Sequence, residues 1–92
     1  MLIQNKETGD EGTFFIEEGN ERLATLYYNW RGEDRIIVEH TEVSEKLKGQ
    51  GIGKKLVDHA VAFAREKHIK IVPLCPFAQS VFDKYNGYED VL

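Results

Sequence analysis

Ninety-two residues, 41% hydrophobic and 30% charged, describe one small domain spanning 1–92, and the single cysteine excludes an internal disulfide and any cysteine-rich zinc site. A net charge of −4 argues against general nucleic-acid binding, which draws on a basic surface. No apolar run approaches the roughly 18 residues of a membrane span and no charged-then-apolar leader opens the chain, so a cytoplasmic protein without membrane contact is expected.

Leu2 to Asn5 reads as a short edge strand, ended by the turn residues Thr8-Gly9-Asp10. Thr13 to Glu17 is a second strand, and Glu18-Gly19-Asn20-Glu21 is its turn. Leu23 to Trp30 is β-branched and aromatic enough for a full strand, with Leu23, Thr25, Tyr27 and Asn29 on one face. Ala24, Leu26, Tyr28 and Trp30 take the other. Arg31-Gly32-Glu33-Asp34 then turns the chain into a long strand from Arg35 to Val43. These spacings describe an antiparallel meander.

A turn carrying Gly49, Gly51 and Gly53 follows Val43 and opens directly into an amphipathic helix. Glycines let backbone N–H groups approach a ligand closely, and a helix N-terminus adds partial positive charge. Lys46, Lys48, Lys54 and Lys55 surround the turn although the chain is acidic, so the stretch reads as a pocket for a phosphate or pyrophosphate. Ile52, Leu56, Val57, Ala60, Val61, Phe63 and Ala64 recur at helical spacing, as for a helix lying on a sheet. Ile69 to Leu74 is a short strand, expected to run parallel to the previous one because a helix separates them. Pro76 suits the first position of a second helix, with Phe77, Val81 and Tyr85 on its inner face. Asn86-Gly87 ends that helix, and Tyr88 to Leu92 reads as a last short strand. His59 and His68 look like surface residues. The expected fold is therefore α/β: a meander leading into one strand-helix-strand crossover, with two helices on the sheet. The phosphate-loop pattern Gly-x-x-x-x-Gly-Lys-Ser/Thr is absent, and no acidic ribose partner stands at dinucleotide-site spacing.

At Lys48-Gly49-Gln50-Gly51-Ile52-Gly53, between a strand and a helix, the chain resembles the core of the GNAT superfamily of N-acetyltransferases. The family signature has Arg or Gln, two residues, Gly, one residue, then Gly or Ala; here Lys48, Gly51 and Gly53 fill the three positions. His40-Thr41-Glu42-Val43 before the loop and Cys75-Pro76-Phe77 after the next strand match a branch of very small GNAT-like proteins. The resemblance runs from about Phe14 to Tyr88 and implies a minimal GNAT-like fold that binds acetyl-CoA or CoA. By position, Lys48, Gly49, Gln50, Gly51, Ile52, Gly53 and Lys54 would cradle the pyrophosphate, while Thr41 and Val43 would flank the pantetheine arm. Cys75 would stand near strand ends that splay to admit the thioester. No metal is expected.

His40 is a candidate general base, because imidazole titrates near neutral pH; the alternative is a strand histidine held for structure. Glu42, two residues on, shares its strand face if no bulge intervenes, and either orients His40, acts as base itself or is simply solvated. Cys75 stands at a strand-to-helix junction, where a helix N-terminus favours thiolate; a buried cysteine filling a small apolar space is the other reading. Two departures from the family pattern stand out. The extra helices that ordinary members place between their first two strands do not fit into the short segment from Ile3 to Phe14, and Asp83 occupies the position of the usual tyrosine acid. The sequence therefore reads as a small acetyltransferase acting on an amine acceptor of unknown identity, with a non-catalytic CoA-binding module as the alternative. A monomer or weak dimer is expected.

Overall fold

The computed structural model, which describes residues 1–92, has five strands in the order β1-β2-β3-β4-β5, with every neighbouring pair antiparallel except β4 and β5. The strands are β1 (Gln4–Thr8), β2 (Glu11–Glu18), β3 (Glu21–Arg31), β4 (Arg35–Val43) and β5 (Lys70–Pro73). A 3-10 turn at Glu45–Leu47 and the glycine turn lead into α1 (Ile52–Lys67), and α2 (Pro76–Lys84) follows β5. The first hairpin is tighter than its sequence suggested: Gly9, at φ 63°, closes a two-residue turn that moves the edge strand from Leu2–Asn5 to Gln4–Thr8.

One core holds the molecule together. Phe14, Leu26, Tyr28, Ile36, Val38 and Ile71 from the strands meet Leu56, Val57, Ala60 and Val61 of α1 and Ala78, Val81 and Phe82 of α2. Gly12 belongs to this packing, because the Tyr28 ring lies across it and a Cβ there would sit 2.2 Å from the ring carbon Cζ. The Tyr28 hydroxyl donates to Glu7 at 2.6 Å and accepts from Asn5 at 3.0 Å, so the exposed β1 strand is pinned through polar side chains. Burial, and then the Glu7 carboxylate, push that hydroxyl well above the usual tyrosine range.

Two β-bulges change which residues share a face. Ile16 pairs Ala24 while Glu17 pairs Arg22, so Leu23 is an extra residue on β3. It joins Ala24 and Leu26 in the core rather than Thr25 and Tyr27, correcting the simple alternation. On β4, Val38 pairs Tyr28 while His40 pairs Tyr27, leaving Glu39 as the extra residue. Directly paired residues point to the same side. Thr41, opposite Leu26, therefore faces the helices, whereas His40 and Glu42, opposite Tyr27 and Thr25, face the helix-free side.

Three further expectations are corrected. Tyr88 to Leu92 is no strand: Glu89–Val91 is a 3-10 turn that buries Tyr88 and Val91 at i, i+3 spacing. Arg65 and Lys70 hold that turn through the side chain and the carbonyl of Asp90. The inner face of α2 is Ala78, Val81 and Phe82, while Phe77 and Tyr85 remain 42% and 40% exposed. His59 is half-buried, its ring edge-on to Phe14 at 5.2 Å between centroids. No helix is long and apolar enough to cross a membrane.

Candidate functional site

The parallel pairing of β4 and β5 stops at Val38 opposite Pro73. Proline has no N–H to continue the ladder, and the next two amides, Leu74 and Cys75, both donate to the Val38 carbonyl at 3.0 Å. The chain then turns into α2, so the edge of β4 beyond Val38 has no strand beside it. A pocket of about 620 Å³ opens there, walled by β4, the glycine turn, the first turn of α1 and one face of α2.

Thr41, Val43, Lys48, Gly49, Gly51, Ile52, Gly53 and Lys54 all line this pocket; of the nine residues singled out for a cofactor, Gln50 alone does not. Gly49 and Gly51 adopt φ of 81° and 69°, a left-handed conformation suited to glycine. Gly51 caps α1 without a side chain, and the first helical bond runs from the Lys55 amide to the Gly51 carbonyl. The amides of Ile52, Gly53 and Lys54 are thus left without protein partners at the positive end of the helix.

Gly53 differs from the other two glycines. Its backbone is ordinary helix, and the space its side chain would fill is taken by Phe77, whose Cζ lies 2.5 Å from the Cβ position. That missing side chain lets the two helices close together behind the pocket. The lysines also divide. Lys46 is paired with Glu21 and Lys54 with Asp58, each at 2.7 Å, while Lys48 and Lys55 have no ion-pair partner, and of these two Lys48 alone lines the pocket. Asp58 also accepts from the Tyr88 hydroxyl at 2.6 Å, and it raises both the Lys54 and Tyr88 pKa values chiefly through these hydrogen bonds.

The three residues marked for chemistry fall into two groups. Cys75, 4% exposed, has its Sγ 3.4 Å from the Thr41 hydroxyl where β4 and β5 part. His40 lies on the other face, exposed, its Nε2 3.0 Å from Glu42 Oε1 and its ring stacked on Tyr27 at 5.8 Å. The sheet brings His40 and Glu42 together, and Thr41 and Cys75 together, but no hydrogen bond joins the two pairs. Sequence reasoning missed the α2 wall. Phe77, Ser80, Val81, Lys84 and Tyr85 recur at i, i+3, i+4, i+7 and i+8, a second face beside the buried stripe.

The family model for GCN5-related N-acetyltransferases matches residues 13–91. The chain belongs to this family. A GCN5-like protein from Staphylococcus aureus, solved by NMR, is 36% identical, with a TM-score of 0.70 over 96% of this chain and 85% of that one. The protein NATD1 of Danio rerio is 32% identical over 74 residues, 80% of this chain and 66% of that protein. The chain spans about half to two thirds of the length of the NATD1 proteins it matches. A GNAT acetyltransferase from Elizabethkingia anophelis, crystallised with acetyl-CoA, shares the fold at 22% identity and a TM-score of 0.59 over 70% of this chain and 42% of that one.

Proposed function

We propose that this GNAT-family chain binds acetyl-CoA in the pocket between α1 and α2 and transfers the acetyl group to an amine. The observation that carries this reading is the conjunction of the uncapped first turn of α1 with the unpaired edge of β4 on the same pocket. The amides of Ile52, Gly53 and Lys54, with Lys48 beside them, suit a pyrophosphate. Thr41 and Val43 flank a strand edge that can pair with the amide groups of a pantetheine arm. Acetyl-CoA supplies the activated acyl group; everything else falls to the protein.

In this reading the thioester lies at the gap between β4 and β5, and a neutral amine attacks its carbonyl. Free backbone N–H groups of β4 polarise the carbonyl as charge develops on its oxygen. His40, oriented by Glu42 and braced on Tyr27, accepts the amine proton directly or through one water. Cys75 serves as the acid that returns a proton to the departing thiolate, with Thr41 fixing its Sγ. Isothermal titration of the full chain tests the first half of this: saturable binding of acetyl-CoA in the micromolar range is expected, and none at ligand concentrations of about 1 mM would overturn it.

A CoA-binding module without transferase activity is the second reading. Asp83 supports it, since the residue at the usual tyrosine position is exposed and held by Gln79 at 3.0 Å, outside the pocket lining. Incubation with acetyl-CoA and a panel of amines separates the two. Amine-dependent release of free thiol supports the enzyme, and binding without release supports the module.

A further inference from the structure

The helix-free face of the sheet carries a cavity of its own. It measures about 500 Å³ and is bordered by Glu11, Thr13, Tyr27, Asn29 and Glu39 of β2, β3 and β4. It shares no lining residue with the pocket proposed for the cofactor. Tyr27 joins it to the proposed chemistry, because the Tyr27 ring stacks on His40 at 5.8 Å between centroids. The cavity therefore begins one ring away from the candidate base.

Its far end presents hydrogen-bond acceptors. Asn29 pairs directly with Glu11, so both point to the open side, as Tyr27 does two residues earlier. Glu39, the extra residue of the β4 bulge, accepts a hydrogen bond from the Asn29 side-chain amide. The Asn29 carbonyl oxygen and the second Glu39 oxygen are left over, and Glu11 has no ion-pair partner. An ammonium group, with three N–H donors and no acceptor, suits such a set. The cations of this face stand elsewhere. Arg22 is paired with Glu17 at 3.3 Å and lies over the Phe15 ring at 3.7 Å, while Lys6 is on β1, opposite Thr13. The cofactor pocket has the reverse balance, with Lys48, Lys54 and Lys84 against Glu45. Charge is sorted by face: lysines border the pocket suited to phosphates, and unpaired carboxylates border the side open to an amine.

We propose that this cavity holds the second ammonium of a small alkyl diamine whose first amine is acetylated beside His40; this rests on the acetyl-transfer reading above. Asn29 is two residues from Tyr27, the partner of His40, so the two positions are roughly 7 Å apart, a span for about four to six methylenes. The first nitrogen attacks as the neutral amine and forms the C–N bond as the thioester C–S bond breaks. Its surplus proton passes to His40, and the departing thiolate takes a proton from Cys75. The second nitrogen stays protonated between Glu11 and Glu39 and takes no part in the bond changes.

The test follows thiol release from acetyl-CoA with cadaverine, pentylamine, δ-aminovalerate and a lysine-bearing peptide as acceptors. Wild type should show a kcat/KM about fivefold higher for cadaverine than for pentylamine, and added salt should shrink that preference. Glu11→Gln should lower the cadaverine value about threefold and leave pentylamine and acetyl-CoA affinity unchanged. Calorimetric titration of cadaverine into the CoA-loaded chain should show the same weakening without any turnover. Equal turnover of cadaverine and pentylamine would overturn the subsite alone, as would an equal loss of both in Glu11→Gln. Faster turnover of δ-aminovalerate would also overturn it, assigning the cavity to a carboxylate through Lys6, and faster turnover of the peptide would replace the small diamine as occupant. Thiol release with none of the acceptors would overturn the transfer reading as well.

Discussion

Replacing Gly53 by alanine separates the fold from the pocket. The new Cβ would stand 2.5 Å and 2.7 Å from Cζ and Cε2 of Phe77, where carbon contacts ordinarily lie at about 3.5–4.0 Å, so the ring must retreat by roughly 1 Å. Two stability effects oppose each other. Gly53 has helical backbone angles, so alanine gains about 0.5–1 kcal/mol of helix propensity. Moving a ring that is already 42% exposed loses packing of about 1 kcal/mol. The two nearly cancel, and the thermal midpoint should change by less than about 5 °C. Binding has no such compensation. The displaced ring has solvent on its pocket side and turns into the path proposed for the pantetheine, so acetyl-CoA affinity should fall about tenfold or more, read by calorimetry beside differential scanning fluorimetry. Gly53→Ala combined with Phe77→Leu should recover most of the loss. Unchanged affinity in the single variant would refute the placement of Phe77 on the cofactor path, and recovery failing in the double variant would show that the glycine itself is needed by the ligand.

Three other outcomes follow from the same geometry. His40→Ala should leave acetyl-CoA affinity unchanged while lowering amine-dependent thiol release about a hundredfold, whereas Thr41→Val should weaken binding; a reversed pattern would contradict their assignment to opposite faces. Asp58→Asn should free the Lys54 ammonium for the cofactor phosphates, tightening acetyl-CoA binding roughly threefold and steepening its salt dependence, while loosening Tyr88; weaker binding would refute the competition. For Tyr28, the folded chain holds the hydroxyl proton more tightly than the unfolded chain. Its stabilisation is therefore full below the ordinary tyrosine pKa of about 10 and lost as pH rises above it. Tyr28→Phe should be about 1–2 kcal/mol less stable at neutral pH, yet show a shallower alkaline decline in denaturant melts.

Much of this fold is written in local chemistry. Gly9, Gly19 and Gly32 mark the three hairpins with left-handed angles, and the alternating apolar strands between them leave one meander as the economical arrangement. Proline at position 76 and glycine at 87 bracket the second helix in the same way. The bulges were illegible because nothing in Leu23 or Glu39 distinguishes an inserted residue from a paired one; register is decided across strands, by which pairing buries the core. The faces of α2 were misjudged for a related reason. Phe77 and Tyr85 are as apolar as Ala78 and Phe82, so periodicity shows two candidate stripes and only the position of α1 chooses between them. Tyr88 to Leu92 failed as a strand because the Asp90 contacts to Arg65 and Lys70 are long-range.

The extra residue at Glu39 gives the proposed chemistry its geometry. Without it, His40 would continue the side of Ile36 and Val38 into the core, and Thr41 would point away from the helices. With it, neighbouring residues of one strand serve opposite faces: Thr41 borders the pocket, and His40 stands over the helix-free side with Tyr27 and Glu42. A thioester on the pocket side and an amine on the other can meet only through a break in the sheet. That break lies next to the bulge, where Pro73 ends the β5 ladder and Leu74 and Cys75 both turn their amides to Val38. The first hairpin, closed by two residues, leaves the His40 face without a covering helix, so the proposed mechanism places no helix in the way of a bulky or polymeric amine. On the proposed mechanism the acceptor is selected by groups on that open face around Tyr27, and variants there, such as Tyr27→Ala against Tyr27→Phe, should change amine preference without changing acetyl-CoA affinity. A matching loss of acetyl-CoA binding would mean that the two faces are not separated by the strand as the bulge requires.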